Sequence, residues 1–305
     1  MSAPPATPQR RTLRRASLLL GLIVLAMIGI PACLGFVTTY TLLHPPCSAS
    51  PTTPGDYGHT WEAITLTARA TGDSIAGYFI PGSGGAAIII PPPYAGGRGS
   101  RLHEADVLAR HGYAVLTYDS RRCAGMGALS LGYQEVDEVA DALDYLRTRD
   151  DIDPGRIGLL GFSSAGATGI MAAARLPEIR AVVAEGGYGD LADGQIGIGD
   201  SGDNPLTALY KHTIALSYRL ITGDSIDRLS PTDVIGQIAP RPILLIYGSR
   251  ETSLPGARAQ QTAAGANAAL WVVEGAGHGN YLETAPDEYE ARVIAFFDAA
   301  LPDAE

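Results

Sequence analysis

With 305 residues, 46% of them hydrophobic and 18% charged, the chain carries enough apolar material for one globular core; its 37 glycines and 21 prolines are unexceptional. A formal net charge of −10, with no clustered Lys or Arg beyond the first residues, excludes a general nucleic-acid binder. The acidic surplus reads as a solvated surface.

In chain order, the first segment is a basic amino terminus, 1–15, with Arg10, Arg11, Arg14 and Arg15. An uncharged run of Leu, Ile, Val, Ala and Gly follows over 16–43, long enough to cross a bilayer as a helix. The arginines should stay cytoplasmic, which puts everything after His44 outside the cytoplasm, on a single-pass anchor. A cleaved signal sequence is the competing reading, and Ile30-Pro31-Ala32-Cys33 resembles a lipoprotein processing site that would lipidate Cys33. Cys47 and Cys123 lie in the exported part, where two thiols could pair; the sequence does not set their distance.

Residues 44–59, rich in Pro, Thr, Ser and Gly, read as a short stalk before a domain over 60–305. A hairpin is expected to open that domain, with strands around Trp61–Leu66 and Ile75–Ile80 joined at Thr71-Gly72-Asp73. Strands and helices then alternate: strands at Ala86–Ile90, Tyr113–Tyr118, Ile157–Leu160, Ala181–Ala184, Ile243–Tyr247 and Leu270–Val273, and helices at Glu104–Arg110, Glu135–Arg147 and Asp287–Ala300. This order predicts an α/β fold with a mostly parallel sheet. Between about 187 and 235 the rhythm breaks into a Gly- and Asp-rich loop and a helix-like stretch, Pro205–Ile221, which reads as a lid over the sheet.

The strand Ile157–Leu160 feeds Gly161-Phe162-Ser163-Ser164-Ala165-Gly166 into a helix, the layout of a nucleophile elbow. That sharp turn needs small residues two positions before and after its serine. Ser163 has Gly161 and Ala165 there; Ser164 would have Phe162 and Gly166, so Ser163 is favoured. A serine hydroxyl also needs an imidazole to take its proton and a carboxylate to orient that imidazole. Glu251 lies just past the strand ending at Tyr247, and His278 lies in the glycine-rich loop after Val273, in the order serine, acid, histidine. The amide of Ser164 is the first expected oxyanion donor. The second should come from the loop Pro91-Pro92-Pro93-Tyr94, where Tyr94 is the first residue with an N–H; its phenol is the alternative donor.

From about Trp61 to Leu301 these motifs make the chain similar to α/β-hydrolase-fold proteins, close to bacterial esterases and serine aminopeptidase-like hydrolases. The pattern departs from the usual one in two places: Ala165 replaces a glycine, and the three prolines Pro91-Pro92-Pro93 replace a His-Gly pair before the oxyanion residue. The resemblance implies a carboxylesterase-like serine hydrolase with Ser163, Glu251 and His278 as catalytic residues, Tyr94 and Ser164 as the oxyanion hole, and no metal or organic cofactor. Its expected partners are a small ester or peptide substrate and, through the first helix, the membrane. A peptidase of short peptides would need an anchor for the substrate's amino end, for which Glu185, Asp190, Asp193, Asp200 and Asp203 are available. A non-catalytic binding protein on the same fold is the remaining reading.

Overall fold

The computed structural model describes residues 8–198 and 202–303. One eight-stranded sheet organises the domain: β1 (Glu62–Thr67), β2 (Ser74–Ile80), β3 (Ala87–Ile90), β4 (Ala114–Tyr118), β5 (Ile157–Phe162), β6 (Ile179–Glu185), β7 (Ile243–Gly248) and β8 (Ala268–Val273). Its order is β1-β2-β4-β3-β5-β6-β7-β8. β1 and β2 form the expected antiparallel hairpin, β2 meets β4 antiparallel, and every later pairing is parallel. The central strands are buried along nearly their whole length because helices cover both faces, which is why they read as unbroken apolar runs rather than alternating ones.

On one face, α3 (Gln134–Arg147), α4 (Ser164–Arg175) and α6 (Leu254–Ala264) close a core that includes Val139, Leu143, Leu159, Ile170 and Leu245. On the other, α2 (Leu102–Arg110) and α7 (Pro286–Ala300) pack Leu108, Val293 and Phe297 against Ile88 and Val183. The first helix, α1, runs from Pro8 to Leu43, and its stretch Thr12–Leu43 is long and apolar enough to cross a membrane. The insertion between β6 and β7 carries α5 (Pro205–Thr222). Local chemistry sets the ends of α5: the Asn204 side chain accepts from the Leu206 and Thr207 amides, Pro205 takes the first position, and Gly223 turns left-handed after the last.

A third apolar cluster joins regions far apart in sequence. Leu43 of α1, Leu129 and Leu131, and Tyr188, Leu191, Ile214 and Tyr218 of the insertion bury one another above the sheet. Residues 44–59, expected as a stalk, are instead strapped to the domain. Cys47 is disulfide-bonded to Cys123, the Ser48 amide donates to the Ala95 carbonyl, and Arg122 Nε donates to the Pro45 carbonyl at 2.8 Å. Proline and serine composition signals a lack of regular structure; it says nothing of what a covalent bond and backbone hydrogen bonds tie down.

Candidate active site

Ser163 sits between β5 and α4 with φ +56° and ψ −125°, a conformation that costs energy for a residue with a Cβ and persists because the surrounding turn over-determines it. Its amide donates to the Glu185 carbonyl at 2.7 Å, fixing the turn to the next strand. A side chain at Gly161 would place its Cβ 2.3 Å from the Ala165 carbonyl oxygen, so the start of α4 can fold back only over a glycine. Ala165 itself is buried without difficulty, which makes the departure at that position sterically harmless.

The structure brings together three of the five expected residues in a single chain of hydrogen bonds. His278 Nδ1 lies 2.9 Å from Glu251 Oε2, and its Nε2 lies 3.0 Å from Ser163 Oγ. An ionised carboxylate only accepts, so Nδ1 carries the proton and Nε2 is left to accept from the serine hydroxyl. Burial pushes the Glu251 carboxyl up, but hydrogen bonds from His278, the Gly248 amide, Tyr281 and Ser253 outweigh it and hold the group below its usual value. Tyr281 donates to Glu251 Oε1 at 2.6 Å, and burial, reinforced by that carboxylate, keeps the phenol well above its normal value and therefore neutral. The histidine ring packs on Phe162 at a centroid distance of 4.7 Å, and the Arg101 guanidinium lies over that same phenyl ring, 4.3 Å from its centroid.

The two expected oxyanion donors are adjacent, with one complication. The Tyr94 amide donates to Ser164 Oγ at 2.6 Å, so the Ser164 hydroxyl occupies the second donor. Tyr94 adopts φ +46°, a left-handed strain that aims its N–H toward the elbow. Its phenol points elsewhere and donates to the Leu42 carbonyl of α1 at 2.7 Å. Of the two donors left open at Tyr94, the amide is the one beside Ser164.

A pocket of about 590 Å³ opens over Ser163 and His278, walled by Leu42, Leu131, Tyr188, Leu191 and Ile196. Glu251 is the one carboxylate among its lining residues. Three of the five acids considered as anchors for a substrate amine are otherwise committed. Glu185 is fully buried, its carboxyl pushed up by that burial and held by Arg101 and Tyr289. Asp190 caps the turn Leu191–Ile196 by accepting from the Asp193 amide, and Asp203 pairs with Lys211. The Asp193 side chain is exposed and is not among the lining residues, and Asp200 lies outside the described residues. Among the described residues no group of three or more His, Cys, Asp or Glu side chains is arranged to hold a metal ion.

Tyr281, Phe162 and Leu42 were not anticipated. Tyr281 had a local signal, three residues past the histidine; Leu42 had none, because it reaches the pocket from another element entirely.

A family profile described as X-Pro dipeptidyl-peptidase (S15 family) matches residues 79–209. Among solved structures, the Pyrococcus furiosus esterase Pf2001 superimposes with a TM-score of 0.69 at 21% identity, covering 85% of this chain and 98% of that one. The 2,6-dihydroxy-pseudo-oxynicotine hydrolase matches at TM-score 0.62 and 18% identity, over 80% of this chain and 69% of that one. A Mycobacterium tuberculosis puromycin-hydrolyzing peptidase matches at TM-score 0.62 and 17% identity, over 84% of this chain and 42% of that one. No curated protein matches the chain significantly.

Proposed function

We propose that this chain, an α/β hydrolase, cleaves carboxylic esters through an acyl-enzyme on Ser163, in a catalytic domain held outside the cytoplasm by α1. The observation that carries the reading is the continuous chain from Ser163 Oγ through His278 to Glu251, with both spacings at 3.0 Å or less. His278 Nε2 takes the serine proton as Oγ attacks the ester carbonyl, and Glu251 stabilises the resulting imidazolium while holding its orientation. The Ser164 and Tyr94 amides receive the developing oxyanion, the latter once the Ser164 hydroxyl yields its place. The ester C–O bond breaks, the alcohol leaves with the proton from His278, and water deacylates the serine by the same path in reverse.

Ester is favoured over peptide because the pocket offers an apolar wall and, among the described residues, no carboxylate outside the triad, whereas a free amino terminus needs a counter-charge. The peptidase reading draws on the S15 profile match and on the likeness to the puromycin-hydrolyzing peptidase. The extracytoplasmic placement is supported by the Cys47–Cys123 disulfide, which persists in oxidising compartments, and by the arginines before the apolar run. Retention of the anchor is supported by Thr39 and Leu43, fully buried in the domain, which cleavage after the apolar run would remove. Measuring kcat/KM for p-nitrophenyl esters of rising acyl length beside aminoacyl anilides tests the reading. Esters turned over and anilides inert is the expected result; preference for anilides with a free amine would replace it with the peptidase, and inertness toward both with a binding protein.

A further inference from the structure

One loop of the catalytic pocket carries hydrogen-bond donors that the triad does not use. Arg250, Glu251, Thr252 and Ser253 follow β7, and all of them line the pocket. Glu251 serves His278, and the Ser253 hydroxyl donates to Glu251 Oε2. Arg250 and Thr252, on either side of that acid, are both exposed, and among the described residues neither side chain makes an ion pair or a hydrogen bond. Glu274, on the neighbouring loop after β8, instead accepts from Ser249 Oγ at 3.2 Å. Arginines that pack against the core are committed, as Arg101 is to Glu185 and Arg121 to Glu138.

A guanidinium keeps its charge at any working pH, and its planar fork matches a carboxylate or a phosphate. Arg250 is the only fixed cation among the described residues that line the pocket. The one carboxylate there, Glu251, already accepts from His278, the Gly248 amide, Tyr281 and Ser253. The charge left uncompensated in the pocket is therefore positive, which favours an anionic substrate and disfavours a free amine.

Strand order shows which half of an ester meets that charge. Ser163 follows β5, with β3 on one side of it in the sheet and β6, β7 and β8 on the other. Tyr94 comes after β3 and ties its phenol to Leu42, so the oxyanion site and that part of the apolar wall share one side of the serine. Arg250, after β7, and His278, after β8, share the other. The Arg250 amide donates to the Ala276 carbonyl at 3.0 Å, and its Nη2 lies 3.9 Å from where Gly275 would carry a Cβ. The guanidinium thus rests against the loop that leads into His278. Because His278 Nε2 hands its proton to the leaving alcohol, the alcohol stands on the histidine side.

We infer that the alcohol half of the ester bears an anionic group, a carboxylate or a phosphate, which pairs with the Arg250 guanidinium at the pocket mouth while the Thr252 hydroxyl donates beside it. The inference rests on the serine-hydrolase reading. Arg250 acts on substrate binding and choice, and takes no part in the proton transfers.

The test compares para-carboxybenzyl butyrate with para-carbamoylbenzyl butyrate, which differ by one charge on the alcohol half, and benzyl hemisuccinate with benzyl butyrate, which differ by one on the acyl half. The full chain in detergent should prefer the carboxybenzyl ester over the carbamoyl ester by about three- to tenfold in kcat/KM, expressed mainly in KM. It should not prefer the hemisuccinate. Arg250→Gln should bring the first ratio close to one, Arg250→Lys should keep part of it, and Thr252→Val should lower it by less than Arg250→Gln does. Added salt should narrow the ratio in the wild type and leave it alone in Arg250→Gln. Each ratio is taken within one preparation, so a variant that folds in lower yield still reports. A wild-type ratio near one, a ratio unchanged in Arg250→Gln, or a preference for the hemisuccinate that Arg250→Gln abolishes would overturn the inference. If the wild type hydrolyses none of the four esters and takes no fluorophosphonate label, the serine-hydrolase reading fails instead.

Discussion

The floor and the roof of the pocket are built on different principles. The floor is local: Ser163, Glu251 and His278 each stand in a short loop at the carboxyl end of a parallel strand, and the sheet brings the three strand ends together. The roof is assembled from distant pieces, α1 near residue 42, Tyr94 after β3, and Tyr188 to Ile196 in the insertion, held by one apolar cluster and a disulfide. On the proposed reading the floor carries the chemistry, whereas the roof decides what reaches it. A substitution in the floor should therefore stop the reaction on every ester, and one in the roof should alter stability or choice of substrate.

The largest expected effect lies in the floor. Glu251→Gln should lower kcat for a soluble ester by roughly 10²- to 10⁴-fold, through loss of the imidazole's orientation and counter-charge. The same variant gives a sign for pH. The Glu251 carboxyl is held below its usual 4.5, so its contribution to stability is fully present above that pH and is lost as the pH falls through the lower folded value. Urea midpoints of the wild type should therefore fall more steeply than those of Glu251→Gln as the pH drops from about 5 to 3. Next is the strap under the roof. Replacing Cys47 and Cys123 by serine releases a constraint across 76 residues, for which chain entropy sets a cost near 4 kcal/mol, read as a lower denaturation midpoint. Intrinsic turnover on a soluble ester should change far less than the stability does. The smallest effect is expected where floor and roof touch: Ser164→Ala frees the Tyr94 amide, and kcat/KM should rise by less than about tenfold.

The difference between the two regions also governs how much could be read from the sequence. All eight strands show in the sequence as alternating or unbroken apolar runs and the helices α2, α3, α5 and α7 as helical stretches, and the elbow carries steric requirements at fixed spacing that favour Ser163 over Ser164 before any distance is known. The helix Leu254–Ala264 escaped notice because small residues and glutamines dilute its apolar face. The roof was legible only in outline. Its insertion showed as a break in the strand–helix rhythm, yet nothing in the composition of 44–59 or in the uniform apolar run before it signalled that Leu42 and Leu43 belong to the catalytic domain. A residue whose neighbours lie about fifty or more positions away leaves no local trace, and three of the acids that looked free, Glu185, Asp190 and Asp203, turn out to lie buried, cap or pair.

Intact-mass analysis after treatment with a fluorophosphonate tests the central claim most directly, applied to the wild type, Ser163→Ala and Ser164→Ala. One adduct on the wild type and on Ser164→Ala, mapped to Ser163, with none on Ser163→Ala and ester turnover there down on the order of a thousandfold or more, is the predicted result. An adduct that survives in Ser163→Ala, or that disappears only in Ser164→Ala, would contradict the assignment of Ser163 as the nucleophile.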